Sequence, residues 1–338
     1  MKNFTLILLL LATLSFQAQD LAALYEKVNP AVVVILTEEK EMVNVGNTTK
    51  AVTSSGLGSG FLISDKQIIT AAHVVQVAEK LVVQFYDGEK IPANVISSYS
   101  TADIALIELL WPRKNAVTVK LGNSDQAKIG SKVFIVGAPF GLGHSFSSGY
   151  VSGFKRNLQD KNPFTKSEYI QTDASINTGN SGGPMFNTKG EVIGVVSNIL
   201  TKSGGFEGIG FATTSNLTRK LLLEKKPFWS GSDLIPITGK MAEIFNLPQS
   251  TGFMVQKVVM SSSFGVIGVK GGDVEMSIGG IKLWVGGDII LSINGIKIEE
   301  SDEVLLKIAN YMQQRPEGAP IQVTVLRAGK IVTLGRLK

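Results

Sequence analysis

The 338-residue sequence contains no cysteine and only two histidines. Without thiols there is no thiol nucleophile, no disulfide, no lipid-modified N-terminal cysteine and no cysteine-rich zinc site. The missing disulfides leave the compartment open, because an exported protein can do without them. Charge is sparse as well: 18% of residues are charged, and the net charge of +5 comes from scattered Lys and Arg. No basic stripe interleaved with aromatics is present, so nothing argues for a nucleic-acid partner. The chain is instead 44% hydrophobic with 36 glycines, which fall at turn-like positions between short β-branched runs. That is the pattern of a mainly β globular chain, long enough for two or three domains.

The first residues have a different character. Met1-Lys2-Asn3 is a short basic start, residues 6–14 are nearly all apolar, and Ser15-Phe16-Gln17-Ala18 ends on a small residue. The apolar run is short for a bilayer span and reads as a secretory signal over residues 1–19, cleaved near Ala18. An exported, periplasmic protein is the expectation.

The stretch around which the chain is organised is Asn177-Thr178-Gly179-Asn180-Ser181-Gly182-Gly183-Pro184. A serine between glycines in a tight turn presents its hydroxyl free of neighbouring side chains. The N–H groups of Gly179 and Ser181 can then converge where an oxyanion would form. Serine alone is a poor nucleophile and needs a histidine as base and a carboxylate to orient it. His73, in Ala71-Ala72-His73-Val74-Val75, and Asp103, in Ala102-Asp103-Ile104-Ala105-Leu106, supply both types. The order His, Asp, Ser is one of several convergent orders for this chemistry. The second histidine, His144, has no comparable context and reads as a surface residue.

With these three motifs, and with Gly58-Ser59-Gly60-Phe61, Gly137-Ala138-Pro139-Phe140-Gly141, Gln171-Thr172-Asp173-Ala174 and Gly208-Ile209-Gly210-Phe211-Ala212, the sequence resembles the trypsin-like serine proteases of the HtrA/Deg family. The resemblance runs from about Tyr25 to the C-terminus. It implies a chymotrypsin-like double six-stranded β-barrel over residues 20–228, followed by a small α+β PDZ domain over 229–338. It also implies assembly as a homotrimer, and no metal or organic cofactor. Ser175, Ile176 and Asn177, just before the nucleophile, and Ile209, Gly210, Phe211 and Ala212 on the strand beside the substrate would form the substrate site. None of the three upstream residues is acidic, so cleavage after small or medium aliphatic residues is expected. Thr213-Thr214 stands where the family continues Ile-Pro.

Element by element, a helix is predicted over residues 20–27 and a buried strand over 31–37. Residues 38–55, polar and rich in Thr and Ser, read as a long loop. Further strands are predicted over 56–64, 104–109, 132–136, 149–153, 169–172, 191–198 and 208–213. A hairpin spans 81–95 with Asp87-Gly88 as a two-residue turn. Residues 137–143 form a glycine-rich loop without a phosphate-loop ending, 155–167 a polar loop, and 216–224 a closing amphipathic helix.

In the PDZ-like region, Leu234-Ile235-Pro236-Ile237 occupies the place of the carboxylate-binding loop, with Pro236 where glycine is usual. Proline has no backbone N–H to give a ligand carboxylate. Residues 301–314 read as the groove helix, carrying Leu305 and Ile308, so that Leu234, Ile235, Ile237, Leu305 and Ile308 are the expected peptide-binding residues for a C-terminal peptide ligand. Residues 271–280 recur 15 residues later as 286–295. One copy suffices for a PDZ domain, and the second, ending in Asn294-Gly295, fits it better. The first becomes an added hairpin with 281–285 as its return strand and an apolar face, Leu283 and Trp284, that must find cover.

The function expected is that of an exported endopeptidase acting on unfolded or damaged proteins. A protein-binding chaperone or scaffold with a latent protease domain is the alternative. An esterase using the same triad would need a Gly-x-Ser-x-Gly elbow, which the nucleophile stretch lacks.

Overall fold

The computed structural model describes residues 21–45, 48–138, 144–156, 167–201, 205–226, 228–316 and 319–335. The expected signal peptide and the larger parts of the 137–143 and 155–167 loops lie outside them. A short helix, α1 (Leu21–Val28), leads into a closed six-stranded barrel of β1 (Val32–Val45), β2 (Thr48–Leu62), β3 (Gln67–Thr70), β4 (Lys80–Gln84), β5 (Lys90–Tyr99) and β6 (Ile104–Leu109). A second closed barrel follows: β7 (Lys132–Gly137), β8 (Ser145–Arg156), β9 (Glu168–Thr172), β10 (Pro184–Asn187), β11 (Val192–Ile199) and β12 (Gly210–Thr214).

β-branched residues account for both. Val33, Ile35, Ile68, Val83 and Ile107 fill the first barrel, and Ile135, Val151, Ile170 and Val196 the second. Strand propensity and burial point the same way at these positions. A third cluster, with Phe61, Ile69, Phe134 and Phe186, packs the barrels together. Phe134 and Phe186 stack there with centroids 4.9 Å apart.

Three expectations are corrected. Residues 38–55 are not a loop: β1 and β2 stay paired from Val32↔Phe61 to Val45↔Thr48. A ladder needs only backbone groups, and Lys80–Glu38 and Lys40–Glu79 ion pairs hold the polar arm without a hydrophobic face. The β4–β5 connection is longer than two residues, closed by Phe85 N–H donating to the Glu89 carbonyl at 2.9 Å. The closing helix is one α turn, Ser215–Thr218, followed by a wider-wound turn over Arg219–Leu223.

The remainder forms a six-stranded sheet ordered β13 (Ser232–Thr238), β14 (Thr251–Val258), β17 (Ile289–Ile293), β19 (Val323–Arg327) and β20 (Lys330–Leu334), with β18 (Ile296–Lys297) beside β17. A helix, α2 (Asp302–Gln314), supplies Ile308 and Met312 to its core. The first copy of the repeat is a separate two-stranded hairpin, β15 (Val274–Ile278) and β16 (Ile281–Val285). Its Leu283 is buried, and the side chain of Gln256 on β14 bonds both N–H and C=O of Trp284. Val274, Met276 and Ile281 stay exposed.

The sheet region is tied to the first barrel through Gln76. Its side-chain amide donates to the Ser232 carbonyl at 2.9 Å, and its own carbonyl accepts from the Trp229 indole at 3.0 Å. Lys257 on β14 adds ion pairs to Glu39 and Glu41 of the long β1 arm.

Candidate active site

His73 sits on a single helical turn, Ala72–Val75, entered from extended Ala71 at the end of β3. Small Ala71 and Ala72 are fully buried, which brings the turn against the barrel and leaves the imidazole half-exposed toward the second barrel. Asp103 ends a turn closed by its N–H donating to the Ser100 carbonyl at 3.1 Å, and holds φ at 53°. A left-handed backbone costs a non-glycine residue roughly 1–2 kcal/mol, so the surroundings must impose it. They do. The Asp103 carboxylate accepts from the His73 backbone N–H at 3.1 Å, lies 2.9 Å from His73 Nδ1 through each oxygen, and accepts the Ser197 hydroxyl at 2.5 Å. One residue earlier the Ala102 carbonyl accepts from Thr213 Oγ1 at 2.6 Å, and the Thr101 carbonyl accepts from the Tyr169 hydroxyl at 3.1 Å.

Burial disfavours the charged imidazole of His73, but the hydrogen bond to Asp103 and its negative charge outweigh this. The net result is a pKa above the ordinary value of 6.5. An Asp-bound Nδ1–H leaves Nε2 as the free, proton-accepting nitrogen.

Ser181 lies on the loop between β9 and β10, where three successive peptides, from Gly179 to Gly182, are fixed in turn. The Gly179 carbonyl accepts the Ser59 hydroxyl at 2.6 Å, and Asn180 N–H donates to the Asn177 carbonyl at 3.0 Å. The Asn180 carbonyl accepts from Gly183 N–H at 2.9 Å, the Ser181 carbonyl from Ser59 N–H at 2.8 Å, and Gly182 N–H donates to the Val196 carbonyl at 2.7 Å. Among the described residues, the N–H groups of Gly179 and Ser181 meet no protein acceptor. Glycine is required at 182: φ is 83°, and a Cβ there would lie 2.2 Å from Thr70 Oγ1 and 2.3 Å from the Ser59 carbonyl. That close approach is what lets the Ser181 loop touch the barrel carrying His73.

The Ser181 hydroxyl donates to the Ser197 carbonyl at 3.3 Å; among the described residues no hydrogen bond joins it to His73. Ser197 thus links Ser181 through its carbonyl to Asp103 through its hydroxyl. A bulge makes this possible: β11 pairs Val196 with Ala212 and Asn198 with Phe211, so Ser197 is the extra residue and turns toward the site.

Ile176 is buried with Phe206 and Ile199 packed nearby, and its Cδ1 lies 2.5 Å from where a Cβ on Gly210 would stand. Ser175 and Asn177 are exposed, Ala212 is buried, and Phe211 meets Tyr169 edge-on at 6.2 Å. Ile209 is half-buried, its carbonyl accepting from Leu200 N–H at 3.0 Å. Leu234 packs in one cluster with Ile308, whereas Ile235 and Ile237 belong to a neighbouring one, and Leu305 is half-exposed on α2. His144 is not a surface residue: it is half-buried with Nδ1 2.7 Å from Asn29 Oδ1, and burial lowers its pKa. Among the described residues, no group of three or more metal-ligating side chains could hold a metal ion, and no helix is long and apolar enough to cross a membrane.

The family described as the trypsin-like peptidase domain matches residues 58–195, from the Ser59 motif past Ser181. A probable periplasmic serine endoprotease DegP-like of Ectopseudomonas mendocina is 38% identical over 236 residues, 67% of this chain and 48% of that protein. The protein of the same description from Halomonas elongata is 35% identical over 231 residues. The chain belongs to the HtrA/Deg family of trypsin-like serine proteases. Among solved HtrA-type structures, AlgW with a tripeptide is 29% identical with a TM-score of 0.53, over 93% of this chain and 95% of that one. An AlgW variant with a decapeptide reaches a TM-score of 0.56 at 26% identity with the same coverage. The chain spans about half the length of the curated relatives it matches.

Proposed function

We propose that this chain is an exported serine endopeptidase of protein quality control, acting on unfolded or damaged proteins. Ser181 attacks the peptide carbonyl, His73 takes its proton and returns it to the leaving amine, and Asp103 holds the imidazole tautomer. The N–H groups of Gly179 and Ser181 receive the oxyanion. The observation that carries the reading is the link through Ser197, which joins the Ser181 hydroxyl at 3.3 Å to a carboxylate already paired with His73. Residues 1–19 would be the signal peptide, 20–228 the protease domain and 229–338 a PDZ domain. The relatives' descriptions as periplasmic agree with export. A homotrimer, and C-terminal peptides bound at the edge of β13 near Leu234, follow from the family resemblance. Pro236 supplies no N–H there, which argues for a weaker grip on a free carboxylate.

Digestion of an unfolded model protein by the wild type and by Ser181→Ala, side by side, tests the proposal. Ser181→Ala and His73→Ala should each lose about 10⁴-fold or more in kcat while keeping the fold. Equal turnover by either variant rejects the assignment. A resting, latent protease is the second reading, favoured by the Ser181 hydroxyl bonding the Ser197 carbonyl rather than His73. It predicts a folded but inert wild type that gains turnover when peptides are added.

A further inference from the structure

Ser59 is fully buried in β2, on the barrel opposite the nucleophile loop, and no chemistry described above uses it. It nevertheless makes three bonds to that region. Its N–H donates to the Ser181 carbonyl at 2.8 Å, its hydroxyl donates to the Gly179 carbonyl at 2.6 Å, and the same hydroxyl accepts from Ala138 N–H at 2.9 Å. The Ser59 carbonyl is itself held by Thr70 Oγ1 at 2.7 Å, so the residue is fixed on both sides.

The consequence lies in which peptide planes are immobilised. An oxyanion site needs the Gly179 and Ser181 N–H groups aimed at one point before substrate arrives, since donors that must reorient during the reaction lose most of their effect. The 179–180 peptide is held at one edge by Ser59 Oγ and at the other by the Asn177 carbonyl. The 181–182 peptide is held by Ser59 N–H and by the Val196 carbonyl. Between them, the 180–181 peptide has its carbonyl on Gly183 N–H, leaving Ser181 N–H on the open side. The Gly179 N–H belongs to the 178–179 peptide, which joins the held 179–180 plane through Gly179 itself; φ there is 98°, a conformation glycine can leave at little cost, so the aim of that N–H depends on how firmly the Gly179 carbonyl is anchored. We infer that Ser59 is a positioning residue for the oxyanion site, acting through the Gly179 carbonyl. The inference rests on the protease reading proposed above.

Ser59→Ala keeps the backbone bond to Ser181 and removes the hydroxyl alone. Losing one oxyanion donor outright costs about 10²–10³ in kcat, so loosening one is expected to lower kcat roughly 10- to 100-fold with KM for the same peptide nearly unchanged. A peptide aldehyde, whose adduct with Ser181 carries an oxyanion, should lose affinity by a similar factor, while a non-reactive peptide of the same sequence should not. The acid limb of the pH–rate profile should stay in place, since His73 and Asp103 are untouched. Ser215→Ala is the control for lost stability: it too removes a buried hydroxyl bonded to a glycine carbonyl, Gly122 at 2.8 Å, away from the site. Its kcat should match the wild type.

Should Ser59→Ala not fold, Ser59→Cys retains a similar shape and only a weak donor, and the same kcat-only loss is expected at smaller size. Turnover of the Ser59 variant equal to Ser215→Ala, or a loss confined to KM, overturns the inference and leaves the protease reading standing. Proteolysis surviving in Ser181→Ala instead removes the protease reading itself.

Discussion

His73 Nδ1 lies 2.9 Å from both carboxylate oxygens of Asp103, so imidazole and carboxylate form one paired unit. The pairing raises the His73 pKa above 6.5, whereas burial without a charged partner lowers that of His144. The chain has two histidines, so an NMR titration should show two imidazole midpoints, one on each side of the free value. A base must be neutral to act, so activity falls as pH drops through the upper midpoint, above about 6.5. Stability runs the other way. A raised folded pKa means that the pair's contribution is complete below the unfolded value and is lost as pH rises through the folded one. Asp103→Asn should move only the upper midpoint, downward; two midpoints that both stay put would contradict the pairing.

Thr213 stands where the family has an aliphatic residue, and its hydroxyl bonds the Ala102 carbonyl at 2.6 Å. Thr213→Val leaves that buried carbonyl unpaired, at a cost of about 1–3 kcal/mol, and relaxes the strained turn carrying Asp103. A kcat loss of roughly tenfold at unchanged KM is expected, with Thr213→Ser restoring most of it. A Thr213→Ser as slow as Thr213→Val would show that the methyl, not the hydroxyl, matters.

Specificity should follow Ile176 and Gly210. The isoleucine fills the space opposite the glycine and no acidic residue stands in residues 175–177, so cuts should fall after Val, Ala or Ile. Ile176→Ala should admit Leu and Phe while costing about 2–4 kcal/mol of stability from the cavity. Mass-spectrometric sequencing of peptides from a denatured substrate reads both. A majority of wild-type cuts after Lys or Arg would refute this pocket.

The β15–β16 hairpin can be removed as a unit. Its two ends run side by side: a Cβ on Gly287 would lie 2.5 Å from the Gly271 carbonyl carbon, and Asp288 N–H donates to the Lys270 carbonyl at 3.0 Å, so deleting residues 273–287 leaves chain ends close to one another. The sheet domain should stay folded with a loss of about 2 kcal/mol, the burial of Leu283. With Val274, Met276 and Ile281 gone, proteolysis or assembly should change. An unfolded sheet domain in calorimetry would show the hairpin to be part of its core.

His73, Asp103 and Ser181 were legible in the sequence because each lies in a local motif whose residue types the chemistry requires. The barrel strands were legible because β-branched runs are both strand-forming and buried. Ser59, Ser197 and Thr213 were not, because each acts on a residue far along the chain: 120, 94 and 111 positions away. Ser197 also depends on a bulge, which no side-chain pattern announces. The β1–β2 arm escaped notice for a different reason. Its polar residues carry no periodic face, and the backbone ladder that holds it leaves no mark on composition.

The first barrel is complete in chain order before the second begins, and the two barrels divide the reacting groups between them. Synthesis proceeds at about 5–20 residues per second, and N-terminal units fold first. A growing chain therefore carries His73 and Asp103 on its first barrel before the serine has been made, while Tyr169, Ser197 and Thr213, which fix the Asp103 turn, are still to come. On the protease reading, cleavage waits until β12 delivers Thr213 to the Ala102 carbonyl and Gly182 has seated against Thr70. On that same reading this split works as a timer: a half-made molecule has nothing with which to cut itself or its neighbours.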